Sequence, residues 1–176
     1  MSSLILTVIS LVLLSAVVLI SINYLPGWTR EQAAVTPLVR DGALQLERAF
    51  KLYAKAHSDT PATVLGGELD GGVAANFSAF LGFTPGALPG YQWVYGQVGA
   101  GAPAGYQNAY YFCLAPQSGT LATQGKVRGA QLAQAYLSTE QAFVAPGCGS
   151  VGNASYSGYP ANMAFTYFVK YVPGQL

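Results

Sequence analysis

The chain opens on an apolar run without a period. No side chain from Met1 to Thr29 carries a charge, and Leu4 to Leu25 is broken only by Thr7, Ser10, Ser15, Ser21 and Asn23. As a helix rising about 1.5 Å per residue, that run reaches roughly 33 Å, enough for a hydrocarbon core of about 30 Å. The pattern predicts a membrane-spanning helix. A cleaved secretory signal is the competing reading and fits less well. No Lys or Arg precedes the run, it outlasts an ordinary signal core, and no A-x-A-like site follows it. It ends instead in Tyr24-Leu25-Pro26-Gly27-Trp28, whose aromatics suit a membrane interface. The missing basic flank is what a chain would show if a short charged leader had been removed ahead of Met1.

From Trp28 the pattern becomes helical. Val39, Ala43, Leu46, Phe50 and Tyr53 recur at spacings of four and three, with Arg40, Asp41, Glu47, Arg48, Lys51 and Lys55 mostly on the other sides. This is one amphipathic stripe. Thr29 with Glu31 and Gln32 marks its start, Ser58-Asp59-Thr60-Pro61 its end, and Lys51 and Lys55 suit the dipole there. Pro37 and Gly42 inside the helix, and Pro26 before it, should bend or loosen it. Only Pro26-Gly27 separates the two patterns, so they predict one long kinked rod. Residues 1–27 form its apolar half, 28–57 its amphipathic half, and 58–176 a globular head.

Within the head, Pro61 to Gly90 reads as a connecting region with one short helix around Val73 to Leu81. Tyr91 to Val98 and Gln107 to Ala115 are aromatic runs flanking GAGAPAG, a hairpin with a long loop. Lys126 to Phe143 has helical composition, with Leu132, Tyr136, Ala135 and Leu137 forming the buried side. Ala145 to Gly149 closes that segment, and Met163 to Val172 ends the chain as a strand. The fold class is therefore α+β: a long N-terminal helix packed on a mostly antiparallel sheet.

Net charge is +1 and charged residues make up only 9% of the chain, so no basic field exists to attract nucleic acid. Eight of the fifteen charges lie between Arg30 and Lys55, and none between Gly71 and Gly125. So uncharged a surface is best explained if much of it packs against other subunits. Cys113 and Cys148 predict a disulfide if the head is exported, and two buried thiols if it stays in a reducing compartment.

Catalytic parts are scarce. His57 is the only histidine, which excludes a multi-histidine metal site and makes it the sole base for a Ser-His-Asp triad. Its place at a helix end gives it an ordinary role there. Glu68 and Asp70 are too few for a calcium loop, and no helix follows GAGAPAG to hold a phosphate. Asn76-Phe77-Ser78 and Asn153-Ala154-Ser155 match the glycosylation sequon, which matters only where the machinery exists. No catalytic residue, cofactor or metal is predicted, and a membrane-tethered enzyme is disfavoured. The loop tyrosines Tyr106, Tyr156 and Tyr159 are candidates for subunit contacts or for a sugar-binding or surface-binding face.

Four features together resemble the type IV pilin family, and within it the larger class b pilins: the apolar helix from residue one, Pro26 and Pro37 as kinks, the amphipathic continuation Val39 to Tyr53, and Cys113 with Cys148 bracketing a C-terminal region. The resemblance implies an inner-membrane precursor, cut by a prepilin peptidase, methylated at Met1, and built by pilus assembly machinery into an extracellular homopolymer. Its filament core would comprise Met1, Leu4, Ile5, Leu6, Val8, Ile9, Leu11, Val12, Leu13, Leu14, Val17, Val18, Leu19 and Ile20. The sequence departs from the family at one position. Most members carry glutamate at the fifth mature residue, where this chain has Ile5, and Glu31 is its first acid. That departure keeps open a minor pilin, a tip adhesin or a pseudopilin of a secretion system.

Overall fold

The computed structural model describes residues 2–23, 27–58, 60, 79–82, 85–99, 102–118, 120, 122–152 and 163–169; within the first helix, side chains are described at 5 and 7–17. Two helices open the chain, α1 (Ser2–Asn23) and α2 (Gly27–Ala56). The single rod expected over 1–57 is thus two helical elements, and residues 24–26 between them, Pro26 included, lie outside the described residues. So do Glu68, Asp70, Tyr156, Tyr159, both sequon asparagines and most of the short helix expected at 73–81.

The stripe on α2 behaves as its spacing predicts. Val35, Val39, Ala43, Leu46, Ala49 and Phe50 are buried, and Tyr53 packs at the edge of the same core. Pro37 does not end the helix, which runs on to Ala56. Pro37 and Ala33, whose carbonyl loses its helical partner, both lie on the exposed side. Gly42 has a packing reason: a Cβ there would stand 2.8 Å from the Trp93 indole.

Four strands follow: β1 (Tyr91–Gln97), β2 (Tyr110–Pro116), β3 (Ala142–Pro146) and β4 (Met163–Phe168). They form one antiparallel sheet in the order β1-β2-β4-β3. The fold class is α+β, as expected. Register aligns Trp93, Leu114, Phe165 and Val144 in one row across the sheet, and Tyr95, Phe112, Tyr167 and Ala142 in the next. Both rows are buried in the core they share with α2. Because side chains alternate, the other face carries Cys113, Thr166, Phe143 and Phe168. Cys113 is disulfide-bonded to Cys148 with Cα atoms 5.7 Å apart, and the Gly149 N–H donates to Thr166 Oγ1 at 3.1 Å. Covered on both faces, β4 is buried at all six positions.

The second half of the chain departs most from expectation. Helix α3 spans Gln124–Leu137, capped by the Thr123 hydroxyl accepting from the Lys126 N–H. It stops before Phe143, which the helical reading had included and which lies in β3. The buried face is also different. Val127, Gly129, Ala130, Ala133 and Gln134 are buried, whereas Leu132 and Tyr136 are 41% and 68% exposed. The cause is close packing on α2. A Cβ on Gly129 would lie 2.6 Å from Val35, and one on Gly125 would lie 2.8 Å from the Trp28 carbonyl oxygen. Thr36 Oγ1 donates to Gln32 O at 2.9 Å and reaches Gly129 O at 3.3 Å. With Arg40 6.0 Å from the Tyr136 ring, these contacts show α3 running parallel to α2.

Candidate assembly surface

Every described side chain of α1 is exposed. Leu11, Val12, Leu13 and Leu14 are consecutive and each at least 60% exposed. Four successive residues cover a full helical turn, so the apolar surface goes all the way round. Ile5, Val8, Ile9 and Val17 extend it, each more than half exposed. The polar Ser15 turns its hydroxyl inward, donating to the carbonyls of Leu11 and Val12 at 2.9 Å. It thereby places no unpaired donor on the apolar surface. Of the residues expected in a filament core, Met1, Leu4, Leu6, Val18, Leu19 and Ile20 have no described side chain.

Among the described residues no helix is long and apolar enough to cross a membrane.

Further along, the outer side of α2 adds a mixed surface. Leu44 and Leu52 are nearly half exposed, and between and beside them stand Glu47, Arg48, Lys51 and Lys55, lining one shallow groove. Lys51 pairs with Glu47 at 2.8 Å. Glu47 also accepts a hydrogen bond from the Tyr167 hydroxyl at 2.6 Å, so one carboxylate ties the helix to the sheet. Burial, with the Glu47 carboxylate behind it, holds the Tyr167 phenol far above its ordinary pKa, and burial does the same to Tyr95.

Two of the other candidate positions, His57 and Tyr106, fall among the described residues. His57 is exposed just past α2. Its ring stacks on Tyr53 at 4.0 Å, with Nδ1 2.8 Å from the Tyr53 carbonyl oxygen, so the Nδ1–H tautomer caps the helix end. No group of His, Cys, Asp and Glu suited to a metal occurs among the described residues. The void between Val39, Leu88, Tyr91, Leu114 and Phe165 is apolar and about 20 Å³, room for one water at most. Tyr106 is half-buried rather than a free loop residue. Its ring packs against Phe168 at 5.0 Å and Phe143 at 5.6 Å, and its hydroxyl donates to the Glu140 carbonyl at 2.5 Å. It lines a groove of about 570 Å³ with Asn108, Tyr110 and Gln141.

Two features escaped the sequence reading. One is the spacing Gly125, Gly129, Ala133, a row of small residues one helical turn apart, which signals close helix packing. The other is the Arg128 guanidinium over the Trp28 ring, 4.5 Å from its centroid, for which no local pattern exists. No protein-family model, no curated protein and no solved structure matches the chain.

Proposed function

We propose that this chain is the structural subunit of an extracellular filament of the type IV pilus kind. It is held in a bacterial inner membrane by its N-terminal helix before assembly and polymerises through that helix afterwards. The observation that carries the reading is the surface of α1: uncharged, apolar around its whole circumference, and exposed at every described side chain. Such a surface is unstable in water and needs lipid or other copies of itself. Moving it from lipid into a bundle of like helices changes its surroundings little, so modest packing gains suffice to hold the bundle. In this reading α1 and α2 act as one rod through Pro26-Gly27, with the sheet and disulfide of each head turned outward. The sparse charge of the chain suits heads packed side by side.

Ile5 favours a second reading within the same class. A position that carries an acid in most pilins is here a 59% exposed isoleucine. The subunit is then a minor pilin, a tip adhesin or a pseudopilin, present in few copies. Cryo-electron microscopy of appendages sheared from the native cells separates these. A helical shaft built from this chain, with residues 4–25 at its centre, is the expected result. A shaft of another protein, with this chain confined to tip or membrane, selects the second reading, and no association with either sinks both.

A further inference from the structure

The end of the head where α2 begins carries a tryptophan–arginine cluster that the proposed polymerisation through α1 does not account for. Trp28 is the second residue of α2, a few residues beyond the end of α1. The first turn of α3 abuts its backbone, and Arg128, from the second turn of α3, lies over its indole at 4.5 Å. Trp28 is half-buried, while Arg128 and Arg30 are exposed. The neighbouring carboxylate, Glu31, is engaged by the Thr123 hydroxyl at 2.6 Å.

Each part of this cluster has interfacial chemistry. An indole is most stable where one side is apolar and the other wet, which is the headgroup level of a bilayer. A guanidinium stacked on a ring uses its face, leaving its N–H edge to bind phosphate oxygens in a bidentate fork. We infer that Trp28, Arg128 and Arg30 seat the head on the phosphate layer of an anionic phospholipid surface while α1 lies in lipid. The inference rests on the proposed membrane-held state and goes beyond it by naming the lipid chemistry and the side chains. The seat fixes the depth of the head, and each cation adds about fivefold to its affinity for an anionic surface. It also gives the head a contact that must break when the subunit leaves the membrane.

The chain supplies its own reporter, because it has two tryptophans and only Trp28 can respond. Trp93 is 2% exposed and packed on Gly42, with its indole N–H donated to the Gly86 carbonyl at 3.0 Å. The full chain is reconstituted into vesicles of phosphatidylcholine alone or mixed with phosphatidylglycerol, and Trp28 fluorescence is measured against lipids brominated near the headgroup, with Trp28→Phe giving the Trp93 background. The expected result is a blue-shifted Trp28, strongly quenched in the anionic vesicles, with both effects reduced in neutral vesicles and in Arg30→Gln/Arg128→Gln. Identical Trp28 emission and quenching in both lipids, from protein that floats with the vesicles, overturns the phosphate seat and leaves the membrane reading standing. Failure to float with either vesicle overturns both.

Discussion

At Gly129 the missing side chain is what lets two helices touch, since a Cβ would fall 2.6 Å from Val35 and 3.1 Å from the Gln32 carbonyl. Gly129→Val therefore lowers stability by about 1–3 kcal/mol, the usual range for overpacking. Gly27→Ala is the control: that glycine has no atom within 4 Å, and the change adds up to about 1 kcal/mol through helix propensity. Urea unfolding in mild detergent measures both. Equal effects at the two glycines would refute the close-packing account. Tyr167 carries a second residue-scale prediction, this one in pH. Its folded pKa is raised by burial and by the bond to Glu47, as that of Tyr95 is by burial. Each contribution is thus whole below pH about 10, the unfolded value. It is lost as pH rises from there toward the folded pKa, because the unfolded chain releases a proton that the fold retains. The decline approaches about 1.4 kcal/mol per pH unit for each tyrosine. Tyr167→Phe costs about 1.5–3 kcal/mol at neutral pH by removing a bond to a charged acceptor, and makes the alkaline decline shallower. An unchanged slope between pH 9 and 11 would show that Tyr167 ionises as freely folded as unfolded.

Elements differ in how far the sequence declares them. The α2 stripe and β1, β2 and β4 are legible because a long helical period and aromatic runs bounded by glycine leave few alternatives. The disulfide is legible because the chain has only two cysteines, although its pairing waits on export. By contrast, β3 is five residues ending in Pro146, too short to show a period, and it directly follows a helix whose composition runs on into it. The face of α3 differs from expectation for a physical reason: large side chains usually mark the buried side, but here α3 approaches α2 so closely that glycine and alanine line the contact and Leu132 and Tyr136 turn out to solvent. The apolar run of α1 is legible as a helix on its own, since it needs no tertiary partner to be recognised. Arg128, by contrast, lies a hundred residues from the Trp28 ring it covers and has no local signature. One element-scale prediction concerns the outer sheet face. The disulfide spans a sequence separation of 35, so replacing both cysteines with serine frees a loop worth about 3–4 kcal/mol of chain entropy. The turn after β3 should lose order first, because the disulfide at Cys148 and the bond from the Gly149 N–H to Thr166 tie it to the sheet. Hydrogen exchange at Gly149 and at the β4 amides reads this directly. Uniform loss of protection across the sheet would mean that the disulfide supports the whole fold and not its outer face alone.

For the whole molecule, the decisive feature is a division of labour along the chain. Among the described residues the hydrophobic core draws its buried members from Val35 to Val169, and none of the described side chains of α1 belongs to it. On the proposed function the head is expected to fold without the helix, and the helix to serve association rather than the stability of the head. A chain starting at residue 27 should remain folded in water, with far-ultraviolet dichroism of the head and sedimentation as a monomer at micromolar concentration. The full chain should need detergent or lipid to stay dispersed. A charge placed on the helix tests the same division without truncation. Leu13 is 60% exposed in the middle of α1, and Leu13→Arg adds about 2.5–3.5 kcal/mol to the cost of placing that position at a bilayer centre. A guanidinium buried in a bundle of apolar helices has no partner there and adds a comparable penalty at every copy. Membrane retention and filament yield should both fall, while the stability of the head from urea unfolding stays within about 0.5 kcal/mol of its original value, as for a surface change remote from the core. If Leu13→Arg instead destabilises the head and leaves membrane retention intact, α1 belongs to the folded core and the division fails. A head that aggregates or unfolds once residues 1–26 are removed leads to the same conclusion by an independent route.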